Sequence, residues 1–176
     1  MALNKINRKV AVVLPLLLLL LVVAGCKISY KLTGASIDYT KVKTISLAQF
    51  QNRAAYQWGP MAAMFNEALS DMFVQQTKLE QVRQGGDLQL DGEITAYDQL
   101  NKSISSDGYS AMVQLKMTVN VRFTNNTNHE EDFERTFSAT RDFDATQSLD
   151  SVQEELVSQM IKEIVESIFN AAVANW

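Results

Sequence analysis

The chain has 176 residues, of which 47% are hydrophobic, and its 16 basic and 20 acidic side chains give a net charge of −4. A single Cys excludes an internal disulfide framework and a thiolate zinc site, and a single His excludes the histidine clusters of most catalytic metal sites. The pI of about 5.0 argues against a nucleic-acid partner, because phosphate neutralisation needs a surplus of Lys and Arg.

The beginning of the chain differs in composition from the rest. Residues 1–9 contain three basic residues and no acid, and residues 10–23 are apolar throughout. The apolar run is too short and wrongly flanked for a spanning helix, but it is typical of a secretory signal. We therefore expect residues 1–25 to be a signal peptide, residues 26–42 a tether, and residues 43–176 a single folded domain.

The junction Val23-Ala24-Gly25-Cys26 matches the lipobox of bacterial lipoproteins, in which the Cys thiol is lipidated before cleavage. Two or more acyl chains on Cys26 would make membrane attachment effectively stable, whereas one would not. The alternative is a Cys that follows an ordinary signal peptide by chance. No Asp and no acidic run follows Cys26, so the expected location is the outer membrane, lipid-anchored and facing the periplasm.

The first part of the mature chain predicts a strand followed by a helix. Residues 43–50 alternate, with Ile45, Leu47 and Gln49 on one side, which indicates a strand. Residues 51–59 read as a loop. Pro60 suits the first turn of a helix, and one apolar helix face follows at three- and four-residue spacing: Met61, Met64, Phe65, Ala68, Leu69, Met72 and Phe73.

Three or four strands are predicted next. A short strand over residues 79–83 precedes Gly85-Gly86, where the chain can turn sharply. From Asp87 to Ala96 the even positions are small or apolar, and from Val113 to Thr124 the alternation is cleaner still, as expected of strands with one solvated face. Residues 125–132 read as a polar turn, and the return strand is marked by Phe133, Phe137, Ala139 and Phe143.

Residues 148–176 predict a long second helix. Apolar residues recur in steps of four from Val152 to Trp176, with a second apolar row alongside. Ser151 and Glu154 have capping-box spacing. Asp150-Ser151-Val152 also resembles an O-glycosylation site, although helix capping is the simpler explanation.

These elements predict an α+β fold, a two-layer α/β sandwich with two amphipathic helices on a mixed sheet of about four strands (β-α-β-β-β-α). If the first two main strands flank the first helix, they should pair in parallel through a right-handed crossover.

Five stretches together resemble the short branch of the LptE family of lipopolysaccharide-assembly lipoproteins. Besides the lipobox they are N-R-A at residues 52–54, G-G-D-L-Q-L-D-G-E-I-T-A-Y at 85–97, R-D-F-D at 141–144, and I-F-N at 168–170 with the closing N-W. The resemblance implies a plug and assembly factor inside an outer-membrane LptD-type β-barrel, with lipopolysaccharide as a further ligand. It transfers only Cys26 as a site residue, and it implies neither an enzyme nor a cofactor.

Other candidate residues come from the pattern itself. Lys116 and Arg122 share the polar side of one strand and could meet phosphates or the barrel wall, or could simply be solvated. Arg53, Tyr56 and Trp58 lie in one loop, where exposed aromatics often anchor interfaces; Trp58 could equally cover the core.

Catalytic and metal roles find little support in the sequence. His129 lies in a polar turn and reads as a solvated loop residue. Asp91 and Glu93 share one strand face, but a catalytic pair also needs a pocket and a perturbed environment.

Three functions remain open at this level. The favoured one is a subunit of the lipopolysaccharide translocon, and the second is a free periplasmic lipoprotein that binds a lipid or glycan without a barrel. The third, an envelope hydrolase, lacks a Ser/His/Asp or Cys/His set.

Overall fold

Two α-helices pack on one face of a six-stranded mixed sheet in the computed structural model, which describes residues 37–104 and 110–173. The strands are β1 Thr44–Leu47, β2 Gln51–Asn52, β3 Glu80–Val82, β4 Leu88–Ile104, β5 Ser110–Asn125 and β6 Phe133–Asp144, and the helices are α1 Met61–Gln76 and α2 Leu149–Val173. The predicted two-layer α+β sandwich is therefore confirmed. The sheet exceeds the expected number of about four strands because it includes β2, a two-residue strand where a loop was predicted, and β3, which has three residues and lies within the short strand predicted over residues 79–83.

The strands lie in the order β3-β1-β4-β5-β6, and β2 pairs with β4. Strand β1 is parallel to both β3 and β4, so that Ile45 lies between Gln81 and Leu88. The predicted parallel pairing around α1 is thus confirmed. The remaining pairs, β4–β5 and β5–β6, are antiparallel and form the long part of the sheet.

The core lies between the helices and one side of the sheet. Helix α1 contributes a buried residue every fourth position, and the β5 side chains that point toward the helices are buried from Leu115 to Phe123. Phe73 of α1 meets Phe169 of α2 edge to face, with 5.3 Å between ring centroids. The buried residues that define this layer include Met61, Phe65, Leu69, Leu115, Met117, Val119, Val121, Met160, Ile164 and Ile168.

Asp87 fixes the start of β4 to the start of β1. Its Oδ2 accepts hydrogen bonds from the backbone N–H groups of Lys43 and Thr44 at 2.8 and 3.0 Å and from the Thr44 hydroxyl at 3.0 Å. These donors favour the carboxylate, so the pKa of Asp87 lies below its usual value. The Thr44 hydroxyl oxygen in turn accepts from the Asp87 N–H at 2.9 Å.

The segment after β1 differs from the prediction. The strand ends at Leu47, and Gln49, predicted on its apolar side, is exposed. Phe50 is buried instead and packs on Phe65 of α1, with ring centroids 5.1 Å apart, while the Asn66 side chain on α1 hydrogen-bonds its backbone in place of a neighbouring strand. Asn66 Oδ1 accepts from the Phe50 N–H at 2.8 Å, and Asn66 Nδ2 donates to the Phe50 carbonyl at 2.9 Å. The predicted loop then begins with the short strand β2.

A β-bulge changes the alternation of β4. Ile94 pairs with Val119 and Ala96 pairs with Thr118, which leaves Thr95 as the extra residue. Ala96 therefore lies on the solvent-facing side, and its predicted place on the apolar side was wrong. Beyond the bulge, Tyr97 points into the core.

Helix α2 begins earlier than its predicted cap. Leu149 is its first residue, so Ser151 lies inside the first turn, and the predicted capping box of Ser151 and Glu154 was wrong. Both the N–H and the hydroxyl of Ser151 donate to the Ser148 carbonyl, at 3.1 and 2.6 Å. The last three residues of the predicted helix lie outside the described part of the chain.

Candidate binding surfaces

The side of β4, β5 and β6 that faces away from the helices forms a polar surface, here called the open face. Its side chains alternate with the core residues, and no described part of the chain covers it. Among the side chains that the structure describes between Asp91 and Asp144, it carries six carboxylates and two cations, a net charge of −4 for this described set. The charged members are Asp91, Glu93 and Asp98 on β4, Lys116 and Arg122 on β5, and Glu134, Asp142 and Asp144 on β6.

Arg122 lies at the centre of the best-connected part of the open face. Its guanidinium is 3.7 Å from Asp91 Oδ1 and 3.6 Å from Glu134 Oε2, so both neighbouring strands supply an acid. Asn120 Nδ2 donates to Glu134 Oε1 at 3.1 Å. The positive charge of Arg122 is therefore already balanced by acids of the sheet.

A shallow cavity of about 340 Å³ opens beside this network. Asp91, Glu93 and Glu134 contribute three carboxylates to its lining, and Arg122 contributes the single cation. A Cβ on Gly92 would collide with the Asn120 carbonyl oxygen and would come within 2.6 Å of the Phe50 ring on the other side of the sheet. Only glycine fits at this position, and the strand here is held tightly.

Lys116 lies farther along β5, where the register places it between Asp98 and Thr140. It shares the open face with Arg122, as the alternation predicts. Six residues of extended strand separate the two cations, which corresponds to roughly 20 Å. The structure therefore places Lys116 and Arg122 on one surface without bringing them together into one site.

The loop between β2 and α1 contains the other predicted interface residues. The start of this loop lies alongside β4, because the Arg53 N–H donates to the Ile94 carbonyl at 2.8 Å. Arg53 is exposed, and Trp58 is partly buried against the core. Tyr56 is 46% exposed and stacks on Tyr97, with ring centroids 5.6 Å apart and planes 20° apart.

Tyr97 and Gln153 form a buried polar pair that the sequence reading missed. Gln153 Nε2 on α2 donates to the Tyr97 hydroxyl oxygen at 2.9 Å, and both side chains are only 2% exposed. Burial disfavours the phenolate and raises the pKa of Tyr97 to about 12. No local pattern pointed to this pair, because the regular alternation up to Thr95 places Tyr97 on the polar side of the strand and the bulge is visible only in the structure.

The residues weighed for catalysis have local partners. His129 Nδ1 lies 3.0 Å from Asp132 Oδ2 in the turn between β5 and β6. The Asn125 N–H and His129 lower the pKa of Asp132. Asp91 and Glu93 share the open face as predicted, but Asp91 is paired with Arg122.

Two further properties concern metals and membranes. Within residues 37–104 and 110–173, no group of three or more His, Cys, Asp and Glu side chains is arranged to hold a metal ion. Neither α-helix of that part combines the length and apolarity needed to cross a bilayer. Cys26 and the rest of the lipobox lie outside the described residues.

Several known structures are similar to this chain at low sequence identity. A hypothetical protein of Chlamydia trachomatis matches with a TM-score of 0.55 and 12% identity over 76% of this chain and 99% of that chain. A protein of Xanthomonas campestris matches at 0.52 and 11% identity over 78% and 89%. The rare lipoprotein B of Shewanella oneidensis matches at 0.49 and 14% over 72% and 92%. No curated protein sequence matches this chain.

A family model decides the relationship. The model named LptE and described as lipopolysaccharide-assembly matches residues 42–172, which include almost all of the described fold. The resemblance inferred from the sequence is therefore confirmed. This chain belongs to the LptE family of lipopolysaccharide-assembly proteins.

Proposed function

We propose that this chain is the lipoprotein subunit of the outer-membrane lipopolysaccharide translocon, where it plugs an LptD-type β-barrel and helps it to assemble. The observation that carries the proposal is the family match over residues 42–172, from β1 almost to the end of α2. The match spans both layers of the sandwich. The proposal requires neither a catalytic residue nor a cofactor.

Lipidation of Cys26 accounts for the membrane attachment in this proposal. The lipobox at residues 23–26 supplies the modified residue, and residues 1–25 supply the export signal. Each buried methylene of an acyl chain contributes about 0.8 kcal/mol, so two or more chains hold the protein stably. No Asp or acidic run follows Cys26, which supports an outer-membrane location facing the periplasm.

The described fold has the physical properties of a plug. Large outer-membrane barrels have a polar interior, and a wide lumen must be filled to keep the membrane sealed. The open face offers a polar surface to such an interior, and the dense core behind it keeps that surface rigid. The buried apolar residues of these strands lie on the other side of the sheet, and Leu100, opposite Gln114, is the large exposed apolar residue of the open face.

Direct binding of lipopolysaccharide receives less support from the open face. Phosphate groups would meet more carboxylates than cations there, and both acids beside Arg122 compete for its charge. We therefore propose that protein contact with the barrel is the primary role of this domain. Arg53, at the edge of the β2–α1 loop, is an exposed cation outside that acidic surface.

Co-purification tests the proposal. Full-length chain with a C-terminal tag is extracted from envelopes in mild detergent, and its partners are identified by mass spectrometry. We expect an LptD-type barrel in comparable amount, and we expect depletion of the chain to stop lipopolysaccharide from reaching the cell surface. Absence of any barrel together with unchanged surface lipopolysaccharide would favour the free periplasmic lipoprotein instead.

The anchor is tested separately. Mass spectrometry of the mature amino terminus should find acylated Cys26 as the first residue, and Cys26→Ala should abolish both the acylation and the membrane attachment. A mature protein that begins elsewhere, or that lacks acyl chains, would contradict the lipoprotein assignment.

A further inference from the structure

The open face is ordered before any partner arrives. Cross-strand hydrogen bonds join its side chains, including Gln114 Nε2 to Asp142 Oδ1 at 3.0 Å and Asn120 Nδ2 to Glu134 Oε1 at 3.1 Å. Because these side chains are already restrained, a partner that docks on them loses little of its binding free energy to side-chain ordering. Of the two rows between them, one consists of the short residues Thr118 and Ser138, which allow another protein to approach closely, and the other contains Lys116 opposite Thr140.

The charge of the open face is unbalanced. Arg122 is shared between Asp91 and Glu134, so its single charge cannot neutralise the three carboxylates that line the adjacent cavity. Glu93, on the rim of this cavity, is exposed. The arrangement favours one more cation at this point.

We infer that the open face docks against a cationic protein surface, with an Arg or Lys side chain of the partner entering the cavity bounded by Asp91, Glu93 and Glu134. The inference rests on the proposed function, and within it the partner is the inner wall of the barrel. Charge complementarity across an interface favours association and fixes the orientation of the partners. An anionic lipid surface has the same sign of charge as the open face, which would repel it.

Charge reversal on the two sides of the sandwich tests the inference. The open-face variant carries Glu93→Lys and Glu134→Lys, and the control carries Glu154→Lys and Glu166→Lys on the outer surface of α2. All four glutamates are exposed, and both variants change the net charge equally. Thermal unfolding of each full-length variant in detergent checks that it remains folded.

We expect the open-face variant to recover roughly tenfold less barrel than wild type, which corresponds to about 1.4 kcal/mol of lost association, while the control recovers as much as wild type. The milder variant Glu93→Gln/Glu134→Gln should lose less barrel than the lysine variant, since it removes attraction without adding repulsion.

Three outcomes distinguish the possibilities. Full recovery by both lysine variants would overturn the inference and leave the proposed function intact. Equal loss by both would also overturn it, because the effect would then follow net charge and not the open face. If wild type itself recovered no barrel, the proposed function would fail first.

Discussion

The two sides of the sheet are encoded by alternate residues of the same strands, yet they have opposite chemistry. Along β5, Leu115, Met117 and Val119 are fully buried under the helices, while their neighbours Lys116 and Thr118 face outward. The buried side stabilises the fold through apolar area removed from water. The open face removes little apolar area from water, so we expect it to contribute much less to folding.

Two arginines show the same contrast. Arg122 is on the open face, and its ion pairs are 3.6 and 3.7 Å long. Arg141 is on the helix side of the edge strand β6, where it reaches Gln159 Oε1 at 3.0 Å and Glu163 Oε2 at 2.8 Å on α2. An inward-pointing charge on an edge strand also discourages unwanted strand pairing. Arg141 thus joins the sheet to the helix layer, whereas Arg122 pairs only with acids on the solvent side of the sheet.

The largest expected effect comes from placing a charge on each side of β5. Val119→Asp buries a carboxylate without a partner and should lower the free energy of unfolding by more than about 4 kcal/mol. Its neighbour Thr118→Asp, on the open face, should change it by less than about 1 kcal/mol. Urea unfolding followed by circular dichroism measures both. Similar losses for the two variants would contradict the two-sided description.

Gly92→Ala should be the next most damaging change. The added methyl group meets a backbone carbonyl and the Phe50 ring, neither of which can move freely, so we expect a loss of about 3 kcal/mol. Gly59→Ala is the matched control, since nothing lies within 4 Å of the added atom there. A stable Gly92→Ala protein would show that β4 is less constrained than its contacts indicate.

Tyr97→Phe should lower the free energy of unfolding by about 1–3 kcal/mol, because it leaves the buried amide of Gln153 without its acceptor.

Tyr97→Phe should also change how the free energy of unfolding depends on pH in the alkaline range. The folded pKa of about 12 exceeds the unfolded value near 10, so this group stabilises the fold below pH 10 and loses that contribution as pH rises through 12. Urea unfolding measured from pH 8 to 12 should therefore show the free energies of unfolding of wild type and Tyr97→Phe converging as the pH rises. Parallel pH curves for wild type and Tyr97→Phe would argue against the buried phenol.

The smallest effects separate the two arginines. Arg122→Ala should cost less than about 1 kcal/mol, and the loss should shrink further in high salt. Arg141→Ala should cost more, about 1–2 kcal/mol, because shorter hydrogen bonds to a second layer are lost. Chemical unfolding at low and high NaCl compares them. A reversed order would mean that the open face contributes more to folding than its exposure suggests.

Much of the fold could be predicted because the signals are local. The alternation from Val113 to Thr124 and the four-residue steps of both helices depend only on neighbours in the chain. The predictions were wrong where a residue distant in the sequence decides which side of the sheet a side chain faces. Phe50 is ordered by Asn66 on α1, and the Thr95 bulge exchanges the sides of Ala96 and Tyr97. Of the candidate site, the sequence placed Lys116 and Arg122 on one face, but it showed neither the acids around Arg122 nor the distance to Lys116.

The sequence by itself determined the lipobox, the helices, the long strands and which residues of β5 face each side, because each depends on spacing along one segment. Tertiary structure alone decided the strand order, the Tyr97–Gln153 pair and the carboxylates that meet at Arg122. These features join residues that are far apart in the chain, and their pairing is fixed only when the layers pack. The open face has its polar character from the sequence and its charge arrangement from the register of three strands.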